Sequence, residues 1–132
     1  MDLDDFKAVN DKYGHEVGDS VLCEVAQMLK GALRESDVIS RIGGDEYAII
    51  LPNIGSKEKI DIIAKKILKA FERKVYLQSV DLQIKASIGF SIFPKDGDNI
   101  DVLLRKADQA MYIVKDTINE NYCIYNEDSK TL

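Results

Sequence analysis

The chain has one histidine, two cysteines and no apolar run that approaches a membrane span. Each shortage narrows what it can do. Cys23 and Cys123 offer no metal-ligand spacing, and Cys23 falls in an apolar helical pattern, so both are read as buried free thiols of a reducing compartment. His15 has no acidic or nucleophilic neighbour in sequence and is read as a packed or hydrogen-bonded turn residue. With no span of about 20 apolar residues and no signal peptide, the chain is expected in the cytoplasm without direct membrane contact, by itself or as the cytoplasmic part of a larger or membrane-bound sensor. Positive charge is also short. Lys and Arg number 18 against 23 Asp and Glu, a net charge of −5. That excludes a broad nucleic-acid surface or an anionic membrane face, and leaves room for a small basic pocket around a nucleotide. There is no internal repeat and no low-complexity tract.

What is present fits one soluble domain. The 132 residues suffice for a proper core. Met1 to Asp4 reads as the end of a strand, shorter than the usual five or six residues, so a segment is expected to precede it. Residues 5–12 suit a short helix capped by Asp4 or Asp5, broken at Tyr13-Gly14-His15. Gly18 and Asp19 open a second helix, with Asp19 or Ser20 as cap and Val21, Val25, Met28, Leu29 and Leu33 at helical spacing. Ser56 starts a third, with Ile60, Ile63, Ile67, Leu68 and Phe71 on one face. Residues 75–80 form a strand, and Leu82 to Ile92 alternate strictly, with Gly89 allowing a bulge or a close contact. After the turn at Pro94–Asp98 comes a long helix over residues 99–116, with Leu103, Leu104, Ala107, Met111 and Val114 buried. A short strand, Tyr122 to Tyr125, follows, then a frayed tail over 126–132. The expected class is α+β, a mixed and largely antiparallel central sheet flanked by helices.

The stretch Arg41-Ile42-Gly43-Gly44-Asp45-Glu46-Tyr47 joins two apolar runs. Gly-Gly there predicts a two-residue primed turn with positive φ at the glycines, which puts Arg41 opposite Glu46. Bare backbone beside concentrated negative charge suits a hard cation and a phosphate ester. Asp2 and Asp4 share a strand face. If the first strand lies beside the hairpin, Asp2 and Asp45 converge, and a divalent cation resolves their repulsion. Asp45, nearer the tip, is the better ligand; Glu46 joins only if the turn twists the backbone. For Asp4 and Asp5 helix capping is preferred. Lys7 could reach a phosphate as a point charge. Asn10 and Asp19 could together read a base edge, since an amide donates and accepts while a carboxylate accepts two N–H groups; Asp19 alone is more often a cap.

Taken jointly these blocks resemble the GGDEF domain, the diguanylate cyclase family. The matches are Asp2-Leu3-Asp4-Asp5-Phe6-Lys7 with Asn10-Asp11, Tyr13-Gly14-His15-Glu16-Val17-Gly18-Asp19, Gly43-Gly44-Asp45-Glu46-Tyr47, and Ala86-Ser87-Ile88-Gly89-Phe90-Ser91 continuing into Pro94-Lys95-Asp96-Gly97 and Ala107-Asp108-Gln109-Ala110-Met111-Tyr112. The resemblance implies a nucleotide-cyclase, polymerase-palm-like fold with a ferredoxin-like core. It implies condensation of two GTP into cyclic di-GMP with release of pyrophosphate, by a homodimer. It places Mg²⁺, or Mn²⁺, on Asp2, the Leu3 carbonyl, Asp45 and Glu46, with Asp45 and Glu46 catalytic and Asp45 as base for the ribose 3′-hydroxyl. Lys7 stabilises phosphate charge. Phe6, Asn10 and Asp19 hold guanine, with Gly43, Gly44 and Lys115 near the phosphates. Arg34-Glu35-Ser36-Asp37 matches the family's Arg-x-x-Asp product-inhibitory site, where an arginine fork and a carboxylate bind guanines of cyclic di-GMP; the alternative there is a turn ion pair.

Three departures stand out. Tyr47 replaces the usual phenylalanine, so a buried hydroxyl needs a partner. Ile118-Asn119-Glu120 replaces Gly-Arg-Asn, which removes a positive charge near the phosphates. The family's N-terminal helix and most of its first strand are absent from 1–125, so impaired activity or abnormal pairing is expected. The parent protein is expected to carry a fused sensory or receiver domain. The alternative function is a catalytically silent receptor for cyclic di-GMP or GTP.

Overall fold

The computed structural model describes residues 1–117 and 119–128. In order these form β1 (Asp2–Leu3), α1 (Phe6–Tyr13), α2 (His15–Ala32), β2 (Val38–Arg41), β3 (Tyr47–Ile50), α3 (Lys57–Phe71), β4 (Val75–Leu77), β5 (Val80–Leu82), β6 (Ala86–Phe90), α4 (Ile100–Asp116) and β7 (Tyr122–Ile124). The class is α+β with mixed sheets, as expected. Two compact units are present, Asp2–Ala86 and Met1 with Ser87–Leu132. Among the described residues no helix is long and apolar enough to cross a membrane.

In the first unit α2 is the spine. Its stripe of Val17, Val21, Val25, Met28, Leu29 and Ala32 is buried, at the spacing of one helix face. Cys23 lies off that stripe, two residues past Val21, and is exposed, which corrects the buried reading. The helix also starts earlier than expected. Gly14 adopts φ 90°, its N–H donates to the Asn10 carbonyl at 2.9 Å, and α2 restarts at His15. Gly18, Asp19 and Ser20 therefore sit inside the helix, and neither Asp19 nor Ser20 caps it. His15 is exposed rather than packed. Asp5 does precede α1, but at φ 57° and with no side-chain cap bond. It is a non-glycine residue in the left-handed region, which aspartate tolerates better than most.

The hairpin around Gly43-Gly44 differs from expectation, and a second hairpin is present where the sequence pattern reads as a single strand over residues 75–80. β2 and β3 pair with Arg41 opposite Tyr47, and the Ile42 N–H donates to the Glu46 carbonyl at 2.9 Å. The loop is thus Gly43-Gly44-Asp45, one residue longer than predicted, and neither glycine takes a positive φ. Arg41 does not face Glu46; its Nη1 donates to the Gly44 carbonyl at 3.4 Å. The buried Tyr47 ring gives the physical reason. Its hydroxyl donates to the Leu22 carbonyl of α2 at 3.1 Å, which anchors β3 and sets the register. The two-residue primed turn occurs instead at Gln78 (φ 48°) and Ser79 (φ 69°), joining β4 to β5. Residues 75–82 are therefore a hairpin, and the long alternation is split between β5 and β6. Gln78 Nε2 donates to Ser20 Oγ at 3.1 Å, pinning this turn to α2.

In the second unit β7 runs parallel to β6, with Gly89 opposite Cys123. α4 is capped by Asn99, whose side chain accepts from the Val102 N–H at 3.0 Å. Ala110, Met111 and Val114 are buried, whereas Leu104 is exposed, against expectation. The turn after β6 is closed by Asp96, a buried carboxylate that accepts from the Ile92 N–H at 2.6 Å.

Candidate functional site

The backbone of β1 lies beside the hairpin tip. Asp2 forms an antiparallel bridge with Glu46, and the Leu3 N–H donates to the Asp45 carbonyl at 3.0 Å. The Asp4 N–H donates to the Lys85 carbonyl at 2.9 Å, which holds the other end of the strand. Asp2 is buried; Asp45 and Glu46 are half-buried. Glu46 folds back along the loop, and its Oε2 comes within 3.4 Å of where a β-carbon on Gly43 would stand. Nothing lies within 4 Å of the same position on Gly44, so the tip is open. Among the described residues no group of three or more His, Cys, Asp or Glu is assembled to hold a metal. Mg²⁺ asks for less: one or two carboxylates, with waters and substrate phosphates completing the shell. The hard oxygen donors of Asp2, Asp45 and the β1 backbone suit that ion.

A second cluster forms where α1 meets α2. Phe6 and Asn10, four residues apart on α1, both face Gly18. Asp19 follows directly, exposed on α2, and Lys7 is exposed on α1. Phe6 also borders an apolar recess with Leu3, Val9, Val21 and Ile84. Sequence reasoning took Gly18 for a helix start and missed its place here. The available signal was a glycine among good helix formers, which costs about 1 kcal/mol relative to alanine and calls for a packing reason.

Arg34 and Asp37 are engaged with each other. Arg34 Nη2 and Nε reach Asp37 Oδ1 at 2.7 and 3.1 Å, and the Arg34 backbone N–H donates to Oδ2 at 2.7 Å. Nη2 also donates to the Pro52 carbonyl at 2.7 Å, tying the turn before β2 to the end of β3. The Asp37 side chain is 1% exposed and that of Arg34 47%. The hydrogen bond raises the guanidinium's pKa and holds the carboxyl below its usual range, each against an opposing effect of burial. Lys115 is exposed in the last turn of α4, and Asn119 is exposed at φ 77°. Ile118 lies outside the described residues.

The departure at Tyr47 is accommodated by the Leu22 carbonyl, and burial pushes the phenol's pKa up. Tyr47→Phe should cost about 0.5–1.5 kcal/mol, toward the low end because that carbonyl keeps its place in the α2 ladder. Urea unfolding of the two proteins measures it.

Comparison with known proteins defines first the class: structures that superpose on the chain are GGDEF domains, whose α+β fold is of the nucleotide-cyclase, palm-like type. One of them, the GGDEF domain of TpbB from Pseudomonas aeruginosa, is 34% identical, with a TM-score of 0.91 over 98% of this chain and 76% of that one. The family described as diguanylate cyclase, GGDEF domain, matches residues 1–121, and the chain belongs to it. A relative from the same organism, named bifunctional diguanylate cyclase/cyclic di-GMP phosphodiesterase MucR, is 40% identical over 127 residues. That match takes in 95% of this chain but only 18% of MucR; diguanylate cyclase TpbB, 38% identical, is matched over 87% of this chain and 27% of its own length.

Proposed function

We propose that the chain is a diguanylate cyclase domain acting as a homodimer. Each protomer holds one GTP, and the 3′-hydroxyl of each ribose attacks the α-phosphorus of the other nucleotide. A 3′-oxygen–phosphorus bond forms, the α–β anhydride bond breaks, and pyrophosphate leaves. The observation that supports this reading best is the Leu3–Asp45 backbone bond, which seats Asp2 and Asp45–Glu46 on adjacent strands at an open glycine tip. Asp45 takes the hydroxyl proton. Asp2, the Leu3 carbonyl, Asp45 and Glu46 would hold Mg²⁺ or Mn²⁺, which supplies charge neutralisation at the triphosphate. Lys7 and Lys115 add positive charge to the phosphates, Gly43 and Gly44 let the backbone approach them, and Phe6, Asn10 and Asp19 bind guanine. With the weak ribose hydroxyl held in line, positioning and charge account for the rate. Incubating the full protein with GTP and Mg²⁺ tests the reading; no cyclic di-GMP would sink it. In a longer parent protein a sensory or receiver domain would set the activity.

Arg34 and Asp37 form the product-inhibitory site in this reading. The half-exposed guanidinium is held in place by a carboxylate already ordered by the turn, so an arriving guanine meets a positioned Nη1 and can take over the Nη2 bond to the Pro52 carbonyl. Arg34→Ala should let product accumulate past the level at which the unmodified protein stalls, read by chromatography of cyclic di-GMP. It should also destabilise the domain in a pH-dependent way. Asp37 has a lowered folded pKa, so its ionised form contributes stability fully above the ordinary value of 3.8 and loses it as pH falls through the folded value. The gap in thermal stability between the two proteins should therefore close in acid. Continued stalling in Arg34→Ala would leave the pair as a turn clamp only.

A further inference from the structure

We infer that Gly18 is a positioning residue for base recognition: having no side chain, it lets the Asn10 amide rest against α2 one residue before Asp19, and that seat aims the amide at the purine. The inference rests on the guanine-reading role proposed above for Asn10 and Asp19.

Gly18 is buried near the start of an 18-residue helix. It has no left-handed φ, so conformational freedom does not explain it. Close approach does. A β-carbon there would stand 1.8 Å from Asn10 Oδ1, 2.9 Å from Asn10 Cγ and 3.4 Å from Phe6 Cζ. No pair of unbonded heavy atoms tolerates 1.8 Å, so any side chain at position 18 must expel the amide from its place. Asn10 Oδ1 is buried and has no hydrogen-bond partner among the described residues. The amide is therefore held by shape against bare backbone rather than by a bond that would survive a shift. A buried acceptor left in this state calls for a reason beyond stability. Because the amide is planar, turning Oδ1 to Gly18 turns Nδ2 away from it. That leaves an N–H donor on the side away from Gly18, and the next residue on α2, the exposed Asp19, carries a carboxylate that only accepts. A donor beside a two-oxygen acceptor matches a base carrying an acceptor and adjacent N–H groups, as guanine does. Adenine, with an amino group where guanine has its carbonyl, does not match.

The test is a double-mutant cycle in the full protein, with Gly18→Ala, Asn10→Ala and the pair together. The probes are GTP for turnover and, for binding by calorimetry, a GTP analogue whose α and β phosphorus atoms are bridged by methylene so that no pyrophosphate leaves. Gly18→Ala alone should weaken analogue binding and raise KM for GTP by about tenfold or more, with kcat little changed, and should narrow the preference for GTP over ATP. In the Asn10→Ala background, where nothing remains to collide with, the same change should cost nothing further in binding. Equal losses in both backgrounds, or none in either, would overturn the inference. A lowered melting temperature in Gly18→Ala that the double variant restores supports it, since alanine otherwise favours a helix. If the unmodified protein binds the analogue but makes no product, the cyclase reading fails while this cycle still reports on Gly18.

Discussion

Replacing Asp45 by asparagine is expected to cut cyclic di-GMP formation by about a hundredfold or more, with the domain still folded. The substitution keeps the shape of the side chain and removes its charge. An amide oxygen neither takes the ribose proton at neutral pH nor offsets cationic charge as a carboxylate does. The pairing with β1 is spared because Asp45 makes it through its main-chain carbonyl, which accepts from the Leu3 N–H and is untouched by the change. Glu46, the neighbouring acid, folds toward Gly43 and is a poor substitute at the same spot. Initial rates with GTP and Mg²⁺, beside a thermal melt, check both halves. A variant that keeps more than about a tenth of the rate, a loss under 1.4 kcal/mol in the barrier, would remove Asp45 from the chemistry.

Gly89→Ala should produce the largest loss of stability of any one-carbon change considered. The β-carbon would stand 1.9 Å from the Ala107 carbonyl oxygen, 2.6 Å from the Met111 N–H nitrogen and 2.9 Å from Met111 Cβ. Two of the three obstacles are backbone atoms of α4, which cannot rotate aside as a side chain does. The helix must lift off β6, opening the packing around Ala110, Met111 and Val114. The expected cost is about 3 kcal/mol or more, a fall in Tm on the order of 10 °C. Gly31→Ala is the control. It lies in α2 with nothing within 4 Å of the added carbon, so it should be neutral or stabilising by up to about 1 kcal/mol. Equal melting temperatures for Gly89→Ala and the unmodified protein would mean that β6 and α4 do not pack this tightly.

Much of this was legible in the chain. The helical stripes of α2 and α3, the hairpin around Gly43-Gly44, and a glycine in β6 that invites close contact all follow from residues within a few positions of one another. The acids at both ends of the candidate metal site and the pair Arg34–Asp37 were also identifiable, because motif spacing survives as a pattern in sequence. The errors have one kind of cause. The turn at Gly43-Gly44 was assigned from local glycine preference, whereas Tyr47 docks on Leu22 in a register that makes the loop one residue longer, and the primed turn at Gln78-Ser79, a pair with no glycine, gave no sequence signal. Asp19 was read as a cap because capping residues are frequent there, but Gly14 had already restarted the helix. Cys23 was placed in the core because it falls in an apolar helical pattern, but it lies off the buried stripe and faces solvent.

The sequence alone therefore determined the helices, the first hairpin and the family motifs, since periodicity and spacing act over one or two turns. Tertiary structure alone decided the hairpin register, the seat of Asn10 on Gly18 and the engagement of Asp37 by Arg34 with Pro52 behind it. Those depend on where a distant helix or strand end comes to rest, and packing between remote segments leaves no periodic trace along the chain.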